Sequence, residues 1–273
     1  MNKQLAVGLV QMTSSSQVAD NLNKAEKIIE QLVNKGAQVI VLPESFALME
    51  KYNGQKLEHL EQHGGGPIQK WMSALAKKHK ILLVGGTIAI ESNIENRPFA
   101  RCYVYNEQGV ELVHYDKIHL FDVSVKEGES YSESANTLAG KEPVVFEWKG
   151  VKFGCSVCYD LRFPELYRYY QTQNVEVILA PSAFTLATGK VHWKLLLQAR
   201  AVENLAFVVA PNQTGTHDNQ RNTFGHSAVI DPWGGIIAEL DDQEGGLYCE
   251  LDLAKIDSIK SKFPVHQHRK LMS

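Results

Sequence analysis

Cys158 stands where an apolar strand gives way to a helix, and that position suits a nucleophile. Val151, Phe153 and Cys155 alternate as strand residues do, while Pro164-Glu165 suits a first helical turn, so the stretch Gly154-Cys155-Ser156-Val157-Cys158-Tyr159-Asp160-Leu161-Arg162-Phe163-Pro164-Glu165 reads as a strand-to-helix junction. Helix entry leaves backbone N–H groups unpaired, and these can steady a thiolate or a developing oxyanion. Glu44 ends a second apolar run, Val39-Ile40-Val41-Leu42-Pro43, at the carboxyl end of a strand, where ligands collect in open α/β folds. Lys117 lies where the strand Glu111-Leu112-Val113-His114-Tyr115 passes into a loop. A thiol, a carboxylate and an ammonium brought together could supply a nucleophile, shuttle a proton and hold a developing negative oxygen.

Each of these residues also has a duller reading. A cysteine within a strand is more often core filler than catalyst, and Cys155 reads that way. The spacing Cys155-x-x-Cys158 matches a redox pair or half a zinc site, yet Cys102 and Cys249 stand alone with no ligand at zinc spacing. A lone surface glutamate or lysine is simply solvated. His226 or His119 could instead serve a Cys–His scheme, although both suit hydrogen-bonding framework roles. His266 and His268 are two residues apart with no third ligand, so they suggest surface chemistry and not a metal. Gly64-Gly65-Gly66 is a loop, because no GK[ST] follows it as a phosphate cradle would require.

Composition narrows the setting. The chain has 273 residues, 44% of them hydrophobic, which suits one large α/β domain, taken here as 1–273. A net charge of −3 without a dense Lys/Arg block favours neither nucleic acid nor an anionic membrane, and leaves a small molecule as the expected partner. Four cysteines give no disulfide framework, and the apolar run Leu5 to Val10 is interrupted by Gln11, too short for a signal segment. No stretch approaches a membrane span. The expected location is the cytoplasm, whose reducing conditions suit a working thiol.

The elements that must position these groups alternate along the chain. Strands are expected at Leu5–Val10, Gln38–Leu42, Ile81–Val84, Phe99–Tyr105, Glu111–Tyr115, Val144–Trp148, Val151–Val157, Val175–Ala180 and Ala206–Ala210, and again near Gly225–Ile230, Gly235–Leu240 and Gly246–Leu253. Between them fall helices capped by Asp20 and ended by Gly36, then Pro67–Lys78, Pro164–Gln171 and Val191–Asn204. No low-complexity segment or linker marks a domain boundary.

Three segments, Leu42-Pro43-Glu44, Tyr115-Asp116-Lys117-Ile118-His119-Leu120-Phe121 and Val157-Cys158-Tyr159-Asp160-Leu161-Arg162-Phe163-Pro164-Glu165, resemble in order and separation the Glu-Lys-Cys signatures of the nitrilase superfamily of carbon–nitrogen hydrolases. Pro181-Ser182-Ala183-Phe184, Thr188-Gly189, His192-Trp193, Gln198 to Asn204, Gly225-His226-Ser227 and Asp231-Pro232-Trp233-Gly234 are similar to its Nit-type amidases, so the likeness spans nearly the whole chain. The resemblance implies a four-layer αββα sandwich, usually a homodimer, with the tail at about 254–273 in dimer contact. It implies Cys158 as nucleophile, Glu44 as general base and then acid, and Lys117 as the cation at the oxyanion, with the N–H of Tyr159 beside it. Glu133 matches a second glutamate that orients the lysine; Glu127 and Glu129 nearby read as solvated loop, and the insert Ser124 to Ser132 departs from related loops. No metal or organic cofactor is implied. The Nit-type segments point to an amidase of deaminated glutathione, or else to an ω-amidase of 2-oxoglutaramate or 2-oxosuccinamate. Arg162, Ser182, Phe184, Thr188, Lys190 and His192 are the candidate substrate contacts, with Arg200 more suited to a framework ion pair. A binding or scaffolding protein that has outlived its chemistry is the contrasting class.

Overall fold

A computed structural model describes residues 4–126 and 129–271. In chain order the elements begin with β1 (Gln4–Gln11), α1 (Val18–Asn34), β2 (Val39–Leu42), α2 (Pro67–His79), β3 (Leu82–Gly85), β4 (Ile88–Ile90), β5 (Phe99–Tyr105) and β6 (Glu111–Asp116). The short hairpin β7 (Asp122–Lys126) and β8 (Glu129–Ser132) follows, then β9 (Val145–Trp148), β10 (Val151–Cys155), α3 (Pro164–Thr172), β11 (Val177–Leu179), α4 (Leu186–Asn204) and β12 (Phe207–Ala210). The chain closes with β13 (Thr214–Thr216), β14 (Asn222–Phe224), β15 (Ala228–Ile230), β16 (Ile236–Glu239), β17 (Gly245–Asp252) and α5 (Ala254–Lys262).

Most of the strands form two mixed sheets, with β7–β8 and β13–β14 as separate hairpins. One runs β17-β1-β2-β3-β5-β4 with β6 on β5, and the other β16-β15-β12-β11-β10-β9. Period-two alternation assigns each side chain of the first sheet to one of two cores. Leu5, Val7, Leu9, Val39, Val41, Leu82, Val84, Cys102, Val104 and Tyr115 face the second sheet and pack with Phe146, Phe153, Val177 and Val209. Val10, Ile40, Leu42, Leu83 and Tyr103 face the other way, onto the stripe Ala25, Ile28, Ile29 and Leu32 of α1 and Met72, Leu75 and Ala76 of α2. Leu166, Tyr167 and Tyr170 of α3 and Trp193, Leu197 and Ala201 of α4 cover the second sheet. Helix, sheet, sheet, helix is the expected αββα sandwich, and it explains why Val39–Leu42 reads as unbroken apolar sequence: both faces of that strand are covered.

Helix starts differ from the sequence reading. Helix α1 begins at Val18 with Gln17 at its N-cap, so Asp20 sits inside the first turn, while Asn21 is pulled into the core to bond Ser15 N–H and the Ala47 carbonyl. Helix α4 starts at Leu186, ahead of the expected Val191, because Thr185 caps it through Thr188 N–H. Gly189 falls inside this helix and is there for space: a Cβ would lie 2.3 Å from the Phe224 side chain. The triple glycine leads into α2, whose first N–H groups are met by Glu61, with Ile68 N at 2.6 Å and Gln69 N at 3.2 Å. Gly66 leaves the room that the Glu61 carboxylate fills.

Candidate active site

Three chain segments meet above the carboxyl ends of strands from both sheets. Pro43 and Glu44 leave β2 into a turn where Ser45 has φ 57°, held by Ser45 N–H on Thr87 Oγ1 at 2.9 Å and by Gln213 Nε2 on the Glu44 carbonyl at 3.0 Å. Lys117 follows β6, and its N–H still bonds Ala100 O at 3.0 Å, so the β5–β6 pairing fixes where its side chain begins. Cys158 opens a tight 3₁₀ turn, Cys158–Arg162, after β10. At φ 47° it occupies the left-handed region that a branched carbon resists, and its N–H is tied to Pro181 O at 2.9 Å.

Asp160 holds that turn in place. Completely buried, its carboxylate accepts from Val157 N–H at 2.8 Å, His119 N–H at 3.0 Å, the Tyr115 hydroxyl at 2.7 Å, and contacts His119 Nδ1 at 2.7 Å. Tyr115 belongs to the first sheet and Asp160 to a turn on the second, so this carboxylate pins the two sheets together two residues from the thiol. His119 also stacks on Phe163 with ring centroids 3.7 Å apart.

Lys117 Nζ sits between two carboxylates. It donates to Glu44 Oε1 at 2.8 Å and to both oxygens of Glu133 at 3.1 and 2.8 Å, with only 2% of its side chain exposed. Glu133 in turn accepts from Phe121 N–H at 2.7 Å. Burial alone would depress the Lys117 pKa, but the adjoining Glu133 and Glu44 outweigh it and hold the ammonium charged well above its ordinary range. Cys158 is raised as well, which for a thiol favours the neutral form: burial, reinforced by the Glu44 carboxylate, pushes it well up, against the pull of Lys117 and the Ala183 N–H. The sequence suggests a standing thiolate; the buried setting instead makes a protonated thiol the resting form, because desolvation penalises the anion more than one shared cation repays.

One cavity of about 1090 Å³ takes in Glu44, Lys117, Glu133, Cys158, Tyr159, Arg162, Phe184, Thr188 and Lys190. Two expected contacts do not line it. Ser182 is fully buried with its hydroxyl on Ala180 O at 2.9 Å, and His192 lies behind Arg162, with Nδ1 3.3 Å from both terminal nitrogens. His226 and His119 are likewise outside the lining; His226 faces Glu239 at 3.1 Å. Arg200 bonds Glu203 at 2.6 Å and Leu161 O at 2.9 Å, a framework position. Glu127 lies outside the described residues. Among the described residues, one group of imidazole and carboxylate atoms is close enough to share a metal ion, namely His63, Glu111 and His114, and none of them lines the cavity. His266 instead meets the Glu203 carbonyl at 3.3 Å.

The sequence reading passed over Lys56, Asn136 and Arg221, which also line the cavity. Lys56 Nζ bonds Asn136 Oδ1 and Thr137 Oγ1, both at 2.9 Å. Arg221 lies on the turn between β13 and β14, a run of Asp, Asn and Gln in which the charged residue gave no periodic signal.

Comparison with known proteins identifies the family. The carbon-nitrogen hydrolase family profile matches residues 6–261. The chain is 39% identical to a deaminated glutathione amidase of Synechocystis sp., over 98% of this chain and 99% of that one. It is 33% identical to omega-amidase NIT2 of Danio rerio, over 97% and 94% of the two chains. Among solved structures, Nit3 of Saccharomyces cerevisiae, a member of branch 10 of the nitrilase superfamily, superimposes with a TM-score of 0.88 at 31% identity, covering 98% of this chain and 97% of that one.

Proposed function

The chain belongs to the carbon–nitrogen hydrolase family, and from there we propose that it is a cysteine-dependent amidase that cleaves a small carboxylated amide through a thioester, with deaminated glutathione as substrate. The observation that carries this reading is the ammonium of Lys117 clamped between Glu44 and Glu133 inside the cavity that Cys158 lines. The Cys158 sulfur attacks the amide carbonyl as its proton passes to Glu44. Lys117 and the Tyr159 N–H receive the charge that builds on oxygen, while Glu133 keeps the lysine from wandering. Glu44 then delivers the proton to the departing nitrogen, and the amine leaves. Water, deprotonated by the same carboxylate, hydrolyses the thioester and restores the thiol.

Size and charge favour the larger substrate. Clefts of roughly 300–1,000 Å³ house ligands of drug size, and a cavity of about 1090 Å³ far exceeds what a five-carbon keto amide needs. Arg162 and Lys190 offer cations to a carboxylate, and the relatives named above act, by their names, on deaminated glutathione or as omega-amidases. The test is to follow 2-oxoglutarate release from deaminated glutathione and from 2-oxoglutaramate in parallel. A higher kcat/KM on the former, abolished in Cys158→Ala, supports the reading; preference for the latter favours the ω-amidase alternative. Failure on both, with no substrate-protected labelling of Cys158 by an electrophile, would leave a binding protein.

We read residues 1–273 as a single catalytic domain working as a homodimer in a reducing cytoplasm. Support for one domain is the continuous core shared by both sheets. Four free cysteines fit the compartment, and no helix among the described residues is long and apolar enough to cross a membrane. For the dimer, Val191, Leu195 and Val202 expose an apolar stripe on α4, continued by Trp233 and by Phe263 in the C-terminal tail. Sedimentation velocity of the wild type and of Leu195→Glu checks this: the dimer boundary is expected to give way to monomer in the variant.

A further inference from the structure

Two guanidinium groups line the cavity with no carboxylate in ion-pair range among the described residues: Arg162 and Arg221. Arg162 rises from the Cys158 turn itself, wedged over the rings of Tyr159 and Phe184 at 5.7 Å each and backed by His192. Arg221 comes from the β13–β14 turn. It lies over the Tyr131 ring at 5.1 Å and bonds the Ala183 carbonyl through Nη2, yet its Nε is buried with no hydrogen-bond partner. A guanidinium that is only partly met by protein keeps donors for a ligand that reaches its cavity side.

We propose that Arg221 anchors a second substrate carboxylate, the one carried by the leaving amine. This rests on the amidase reading above. Order of departure supplies the orientation. The acyl half stays bonded to Cys158 until water arrives, whereas the amine half must escape first and so needs the open side of the cavity. Arg162, on the nucleophile's own turn, serves the acyl half. Arg221 is flanked by Asn219, Gln220 and Asn222, all exposed and all lining the cavity, which puts it at the open side. The ligand class follows: a secondary amide whose amine portion is peptide-like and ends in a carboxylate, as opposed to a primary amide that releases ammonia. Deaminated glutathione, which releases a dipeptide, is of that class.

The test pairs a substrate change with a residue change. Deaminated glutathione is compared with its C-terminal carboxamide, which has the same shape without the charge, in the wild type, Arg221→Gln and Arg221→Lys. The wild type is expected to favour the acid over the amide by roughly 10- to 100-fold in kcat/KM, carried by KM, the size expected of one charge-assisted hydrogen-bonded pair. Arg221→Gln should bring the two substrates to within about threefold of each other, and Arg221→Lys should restore part of the gap, since it keeps the charge but not the fork. If Arg221 only braces Ala183 beside the thiol, Arg221→Gln will lower kcat on both substrates alike and keep the acid preference, which overturns the subsite while leaving the proposed function intact. A wild-type enzyme idle on deaminated glutathione overturns the proposed function, and the subsite with it.

Discussion

Replacing Glu44 by Gln should kill hydrolysis and yet make the cysteine more reactive toward a simple alkylating agent. The Glu44 carboxylate is, after burial, the main influence raising the Cys158 thiol, while Lys117 lowers it. In Glu44→Gln the negative neighbour vanishes, but Lys117 stays charged on Glu133 at 2.8 Å. Loss of one adjacent like charge is worth about 1–3 pKa units. For a drop of about 2 units, the thiolate fraction rises about 100-fold while both pKa values exceed the assay pH. Nucleophilicity falls with basicity at a slope of about 0.4–0.5, so the net gain in alkylation is about tenfold. Amide hydrolysis, which needs the proton relay, should fall by about 10²–10⁴. Second-order rates of iodoacetamide inactivation across pH 6–10, read beside steady-state kinetics, measure both. An alkylation profile shifted to higher pH in Glu44→Gln, or hydrolysis surviving within tenfold, would refute the assignment of Glu44 as the group that both suppresses and later takes the thiol proton.

Lys117→Met leaves the buried Glu44 and the half-buried Glu133 without their shared cation, so urea unfolding should show a loss of about 3 kcal/mol and kcat should fall by at least ~10². Gly86→Ala should cost about 2–4 kcal/mol and lower kcat, because Gly86 sits at φ +49° with its would-be Cβ 2.0 Å from the Pro43 carbonyl, one residue before Glu44; thermal melts and kinetics check it. His217, buried between Ser14 O and Thr223 Oγ1 at 2.8 Å each, has its pKa driven by burial from 6.5 down to about 4. A depressed imidazole contributes stability that is complete above pH 6.5 and lost as pH falls toward 4, about 3 kcal/mol in all. Denaturant midpoints measured from pH 8 to pH 4 should trace that slope, and His217→Gln should flatten it.

Much of the architecture was written in local pattern. Doubly covered strands such as Val39–Leu42 and Phe207–Ala210 are apolar throughout, and Pro67 and Pro164 mark helix starts by geometry alone. What escaped detection is held by distant contacts. The β13–β14 hairpin contains His217 and Thr214, whose bonds reach Ser14, Thr13 and Asp242 far away in sequence, and no periodicity announces it. Asp suits an N-cap, but the buried Asn21 and not Asp20 organises the entry to α1. In the site, Glu44, Lys117 and Cys158 were legible because each ends a strand. Arg221 was not, since an arginine among Asn and Gln reads as solvated until the cavity wall is seen. Ser182 and His192 belong to the Nit-like segments that also hold Phe184 and Lys190; strand alternation would leave Ser182 on the side of Phe184, but its hydroxyl turns back onto Ala180 O, and His192 is taken up behind Arg162.

Glu44 and Lys117 ride on the first sheet and Cys158 on the second, with the Tyr115 hydroxyl on Asp160 as the rivet between them. A shift of one residue between the slabs, roughly 3.3 Å, would part sulfur from carboxylate while each slab kept its own ladder intact. Side chains trapped between the slabs, Val104 or Phe153 for instance, therefore set the alignment of the reacting atoms, whereas equally hidden ones under α1 set only endurance. Truncations of matched thermal cost in the two compartments should part company in turnover, and the mid-plane of this molecule is thereby as much a piece of its chemistry as the cleft above it.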